Sequence, residues 1–192
     1  MERYEPCARL FSTPFWHYST PPPEYAVEWA LDYEKRNPIS AKISNIGGYQ
    51  SETSDNFLEI PFFETIRDGL QDLPEFIFLN WWLNINRKGD YNVTHTHPSS
   101  YLSGVYSITG NHGSLILINP LSHTRDIFET HFGWNDCEQT NSNTYRVKAM
   151  PGDITIFPSD VPHRVNPNMC DTPRISLSFN IGFNDGGMLQ KY

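Results

Sequence analysis

From residue 75 onward the chain is cut into short apolar runs by turn residues, and this limits what it can fold into. The runs are 75–86 (EFIFLNWWLNIN), 101–108, 114–118, 144–148, 153–157 and 174–183. Each is rich in β-branched or aromatic residues, which suits a pleated, half-buried surface. Lys88-Gly89-Asp90, Gly110-Asn111, Pro151-Gly152 and Pro167-Asn168 separate them. Many short strands between such turns predict a β-sandwich or barrel. The 15 prolines argue against a helical bundle.

The first third of the chain reads differently. Residues 7–18 look like an opening strand interrupted by Pro14. Between 24 and 36, Tyr25, Ala26, Trp29, Ala30 and Tyr33 recur at helical spacing, and Asn37-Pro38 ends the run. Residues 39–56 are polar, contain Gly47-Gly48 and read as a loop. A second helix is predicted over 61–71, with Phe62, Phe63, Ile66 and Leu70 inward. The expectation is one domain over 1–192: a strand and two supporting helices in 1–74, and a jelly-roll core in 75–186. Residues 121–143 form a polar insertion in that core. Phe132 and Trp134 within it are candidate substrate-covering aromatics, since loops often carry such groups.

With 192 residues the chain is long enough for one sizeable core. Its formal net charge is −8 and it has no basic run, so a nucleic-acid backbone is not the favoured partner. Cys7, Cys137 and Cys170 are odd in number and irregular in spacing, which does not read as a disulfide framework. A reducing cytoplasm is therefore expected. No apolar signal core opens the chain and no run approaches a membrane span. A homodimer through the N-terminal helices is a candidate assembly.

Chemistry concentrates in three places. His95-Thr96-His97 is a histidine pair at i and i+2, the spacing that puts two side chains on one side of a strand. His163 follows the turn and short run Pro151-Gly152-Asp153-Ile154-Thr155-Ile156-Phe157-Pro158. Three imidazoles gathered this way suit a divalent transition metal. Arg174 opens a strict alternation in which Arg174, Ser176, Ser178 and Asn180 oppose Ile175, Leu177 and Phe179. That polar face points either to solvent or into a polar cavity. In a cavity, a guanidinium beside a hydroxyl is well suited to grip a carboxylate. Asn84, Asn86 and Tyr106 are further candidates to line such a pocket, and one of Trp81 and Trp82 must face away from it.

These residues carry a resemblance. The chain resembles the Fe(II)/2-oxoglutarate-dependent oxygenases, and more narrowly a family of bacterial and phage origin. The matching pieces are His95-Thr96-His97-Pro98, Leu102-Ser103-Gly104-Val105-Tyr106, Phe157-Pro158 with Pro162-His163, and Arg174-Ile175-Ser176 with Ser178-Phe179-Asn180. Upstream, Leu10-Phe11-Ser12-Thr13-Pro14 and Ser44-Asn45-Ile46-Gly47-Gly48-Tyr49 also fit. The resemblance implies a double-stranded β-helix (a jelly-roll or cupin-like barrel). It implies non-haem Fe(II) on His95, His97 and His163, with O2 and the cosubstrate 2-oxoglutarate. Arg174 and Ser176 would hold the far carboxylate, with Asn84 and Tyr106 beside it. The expected reaction is hydroxylation of a small-molecule or peptide substrate, releasing succinate and CO2. The compartment would be bacterial cytoplasm, or a host's if the gene is phage-borne.

One departure matters. Most of the superfamily pairs two histidines with a carboxylate, and here His97 stands at the carboxylate's place. Asp90 and Asp160 are the nearby carboxylates that could substitute, or only one of His95 and His97 ligates. Two other readings compete: a cupin-type metal dioxygenase without 2-oxoglutarate, and a non-catalytic jelly-roll binding or virion-associated module. The glutamate that a cupin motif expects shortly after the histidine pair is missing from Pro98-Ser99-Ser100-Tyr101-Leu102.

Overall fold

The computed structural model describes residues 13–70, 73, 76–110, 114–121 and 143–183. Strand β1 (Trp16–Ser19) precedes helix α1 (Ala26–Arg36) and two very short strands, β2 (Asn45–Ile46) and β3 (Tyr49–Gln50). A 3-10 turn (Phe57–Glu59) and helix α2 (Phe63–Asp68) follow. Then come β4 (Ile77–Asn86), β5 (Tyr91–His95), β6 (Leu102–Ser107), β7 (Leu115–Ile118), β8 (Thr144–Val147), β9 (Asp153–Pro158), β10 (His163–Val165) and β11 (Arg174–Gly182). They form two antiparallel sheets, β1-β9-β6-β11-β4-β3 and β2-β5-β10-β7-β8. This is the expected double-stranded β-helix, mostly β, with two supporting helices. Among the described residues no helix is long and apolar enough to cross a membrane.

The larger core lies outside the barrel. Trp81, Leu83 and Ile85 of β4 and Ile175, Leu177, Phe179 and Ile181 of β11 pack with Ala26, Ala30, Tyr33, Phe62, Ile66 and Leu70 from the helical segment. Aromatic rings tie the layers: Tyr33 meets Trp81 at 5.5 Å between centroids, and Trp29 meets Phe62 edge-on at 5.2 Å. Trp81 is fully buried, so its indole N–H must find an acceptor. It donates to the Asn56 carbonyl at 3.1 Å. Because the helices cover one face of the larger sheet, the hydrophobic effect is satisfied there. The face between the sheets is then free to be polar. Among the described residues a small apolar cluster, Leu115, Leu117, Val147, Phe157 and Val161, fills one part of the interior.

All nine residues of β11 are buried. The alternation read from the sequence therefore resolves as helix-facing Ile, Leu and Phe against interior-facing Arg, Ser, Ser and Asn. Gly104 lets β6 lie close to β11. A Cβ there would come within 2.2 Å of the Phe179 ring.

Several expectations need correction. The stretch 39–56 is not a plain loop. It contains two short strands, β2 and β3, joined by a corner at Gly47-Gly48, both at positive φ (67° and 61°). Glycine adopts that backbone at no steric cost. Its two strands join different sheets: β2 pairs with β5 and β3 with β4. Helix α2 is also shorter than predicted, Phe63–Asp68, with Phe62 buried just before it. β5 and β10 were not foreseen as strands. Residues 122–142, with Phe132 and Trp134, lie outside the described residues, as do Cys7 and Cys137. Cys170 is a free thiol.

Candidate metal centre and carboxylate pocket

His95 is the last residue of β5 and His163 the first of β10, and the two strands pair with these residues opposite one another. His97 does not continue β5 as the i, i+2 spacing predicted. It sits two residues past the strand end, in a segment held by its own N–H donating to the Ser159 carbonyl at 2.9 Å. The three rings nevertheless converge. One ligand atom from each lies within 4.8 Å of the others. No carboxylate belongs to this cluster among the described residues. Asp160 is exposed, and Asp90 accepts from the Arg87 N–H at 2.7 Å in its turn.

Backbone carbonyls set the tautomers. His95 Nδ1 is 2.8 Å from the Val93 carbonyl and His163 Nδ1 is 2.9 Å from the Val161 carbonyl. A carbonyl can only accept, so each Nδ1 carries the proton and each Nε2 keeps its lone pair. Orientation of this kind is what a metal-ligating imidazole needs. His97 Nε2 and His163 Nε2 lie 3.2 Å apart, a separation that requires a proton or a cation between them. Burial lowers the proton affinity of all three. His163 falls to about 3, with the His95 charge a further cause, and His97 to about 4. His95 is lowered too, chiefly by burial. The rings are therefore neutral at pH 7, the form that ligates. Trp82 packs on His97 at 5.2 Å between centroids and Phe157 on His163 at 4.8 Å.

The same pocket contains Arg174. The side chain is 8% exposed, and no carboxylate partners it among the described residues. Nη2 donates to Asn86 Oδ1 at 2.7 Å and reaches Asn92 Oδ1 at 3.5 Å, while Nη1 is buried with no partner. Burial pushes its pKa down to about 10, which leaves it charged at neutral pH. A buried cation with an unused donor is costly unless an anion occupies the cavity.

The amides behind it form a chain. Asn86 Nδ2 donates to Asn92 Oδ1 at 3.4 Å, and Asn92 Nδ2 to Ser44 Oγ at 3.2 Å. Asn92 faces inward three residues before His95 because the β5–β10 register slips by one between them, a β-bulge. Neither Asn92 nor Ser44 was foreseen, since nothing local in the sequence links residues 44, 86, 92 and 174.

Ser176 and Asn84 line the pocket as expected, and Asn84 Nδ2 donates to Ser178 Oγ at 3.1 Å. Tyr106 does not join them. It points to the opposite side of β6, fully buried in the helix-facing core, with its hydroxyl on the Thr20 carbonyl at 3.1 Å. Ser103, Val105 and Ser107 are the β6 side chains on the pocket side. The strand's parity, which the sequence leaves open, decides this. Trp82 faces the pocket and Trp81 the core.

A family model described as "Putative 2OG-Fe(II) oxygenase" matches residues 80–180, more than half of the chain. No curated protein sequence matches the chain significantly. Among solved structures, a Pseudomonas putida prolyl-4-hydroxylase is 14% identical, with a TM-score of 0.53 over 90% of this chain and 94% of that one. HygX from Streptomyces hygroscopicus with nickel, 2-oxoglutarate and hygromycin B bound is 12% identical, with a TM-score of 0.60 over 90% and 84%. A Trichoplax adhaerens prolyl hydroxylase in complex with a hypoxia inducible factor peptide fragment is 10% identical, with a TM-score of 0.60 over 93% and 87%. At such identities these likenesses carry the fold alone. The family match covers all three histidines and Arg174, and on it the chain belongs to the 2OG-Fe(II) oxygenase family.

Proposed function

We propose that His95, His97 and His163 hold the Fe(II) of this oxygenase. Arg174, with Ser176 beside it, takes the far carboxylate of 2-oxoglutarate, and the substrate is a small molecule or a peptide. The observation that carries this reading is the buried guanidinium of Arg174, with Nη1 unpartnered, in the same pocket as three neutral imidazoles. The donor set fits both groups. Three Nε2-type ligands suit a borderline divalent metal, and a forked N–H donor suits a carboxylate. When bound, iron and 2-oxoglutarate together supply the oxidising power for O2 chemistry, with succinate and CO2 as the by-products.

The chain's own residues supply orientation and exclusion of water. Val93 and Val161 carbonyls fix two ligand rings, and Asn86 holds Arg174 from behind. Trp82 and Phe157 wall the ligands with apolar surface. Both substrate classes have precedent among the structural neighbours, one with hygromycin B bound and one with a peptide.

The test is an anaerobic titration of metal-free protein with Fe(II) and then 2-oxoglutarate, followed by visible absorption. A charge-transfer band that needs both components is the expected result. Iron binding with no band on adding 2-oxoglutarate would remove Arg174 from its role. Absence of iron binding would overturn the ligand set.

A further inference from the structure

Ser103 and Asn180 stand in sequence motifs that the proposed chemistry leaves without a role. They belong to one buried chain of hydrogen bonds that ends at the backbone of His97. Ser159 Oγ is 2.8 Å from Ser103 Oγ, and Ser103 Oγ donates to Asn180 Oδ1 at 3.0 Å. Asn180 Nδ2 donates to Asn80 Oδ1 at 2.9 Å. At the other end, Ser100 Oγ lies 3.0 Å from Ser159 Oγ and 3.1 Å from the His97 carbonyl.

The donors have one consistent order. An amide oxygen can only accept, so Ser103 spends its proton on Asn180. The Ser159 hydroxyl must then donate to Ser103, and the Ser100 hydroxyl must donate toward Ser159, sharing its proton with the His97 carbonyl. The series runs Ser100, Ser159, Ser103, Asn180, Asn80, across the loop after β5, the end of β9, and strands β6, β11 and β4. Ser159 and Ser103 are 1% and 2% exposed. The main chain adds two further ties, His97 N–H to the Ser159 carbonyl and Ser159 N–H to the Tyr101 carbonyl, at 2.9 and 3.0 Å.

His97 needs such support more than its partners do. His95 and His163 stand opposite one another in a strand ladder and are each oriented by a carbonyl. His97 lies beyond the strand end.

We propose that the Ser100–Ser159–Ser103–Asn180 chain is a positioning device for His97, anchoring the out-of-strand ligand to the larger sheet. This rests on the ligand set proposed above. Removing the Ser159 hydroxyl cuts the chain in two, leaving Ser100 only the His97 carbonyl and Ser103 only Asn180, and partly satisfied buried networks are poorly tolerated. The loop bearing His97 then keeps its two main-chain ties but loses its side-chain link to the larger sheet, and supporting groups of this kind typically affect metal affinity 10- to 100-fold.

The experiment uses Co(II), whose visible d–d bands report coordination number and geometry. Affinity is read by chelator competition for the wild type, Ser159→Ala, Ser103→Ala and His97→Ala. Ile85→Val, on the helix-facing side of β4, is the control for general destabilisation. The expected result is a 10- to 100-fold loss of Co(II) affinity in Ser159→Ala, a smaller loss in Ser103→Ala, and spectra shifted toward that of His97→Ala. Ile85→Val keeps the wild-type spectrum and affinity. Wild-type spectra and affinities in folded Ser159→Ala or Ser103→Ala would overturn the positioning role while leaving the ligand set standing. Unchanged Co(II) binding in His97→Ala would overturn His97 as a ligand, and this role with it.

Discussion

His163 is the register partner of His95 across the β5–β10 pair, and their ring centroids lie 4.3 Å apart. Two candidate ligands opposed in a ladder are fixed by the sheet itself, and neither can move without breaking pairing. The third, His97, depends on its loop. The expected hierarchy is that His163→Ala abolishes Fe(II) binding. His97→Asp, which restores the two-histidine, one-carboxylate set common in such sites, retains metal. Calorimetric titration of each variant with Fe(II) under argon checks both.

Arg174 should act on 2-oxoglutarate and spare iron. Truncating one partner of a buried charge pair costs about 2–5 kcal/mol, roughly 30- to several-thousand-fold in affinity. Arg174→Ala is expected to lose 2-oxoglutarate by that factor with Fe(II) affinity unchanged. An equal loss of both ligands would mean that the substitution collapses the pocket.

Tyr106 separates packing from chemistry. Its hydroxyl serves only the Thr20 carbonyl among the described contacts. Tyr106→Phe should cost about 1 kcal/mol of stability, as a lost buried hydrogen bond does. 2-Oxoglutarate affinity is expected to stay at the wild-type value, and a tenfold change would return Tyr106 to the pocket.

The metal-free protein should weaken on acidification. The three imidazoles are held below the ordinary 6.5, His97 at about 4 and His163 at about 3, mainly by burial. Below pH 6.5 the unfolded chain takes up protons on these rings while the folded chain does not. Their stabilising contribution is full above 6.5 and falls away as pH drops toward 3. Thermal melting across that window should slope downward in the wild type. The slope should be shallower in His163→Asn, which removes the most strongly shifted ring.

The site was more legible in the sequence than the elements that carry it. His95, His97 and His163 stood out because imidazole pairs are rare and their spacing meaningful. Arg174, Ser176, Ser178 and Asn180 stood out because a strict period of two survives any uncertainty about which face is inside. What the sequence left open was parity and strand extent. Tyr106 lies one residue from both Val105 and Ser107, yet it points to the opposite layer. β5 was missed because Tyr91-Asn92-Val93-Thr94-His95 holds few apolar residues, its inward positions being polar. β10 was missed because three residues give no period. The Ser44–Asn92–Asn86 support of Arg174 spans two sheets, so no window of sequence contains it.

The corner at Gly47-Gly48 has a consequence for the pocket. Its strands belong to opposite layers, and it sits at the end of the cavity where Asn92 and Asn86 meet Arg174. It clasps the two layers together at that end, β2 on β5 and β3 on β4. A residue inserted at that corner is therefore expected to loosen the junction of the two layers beside Asn92 and Asn86, and with it the backing of Arg174.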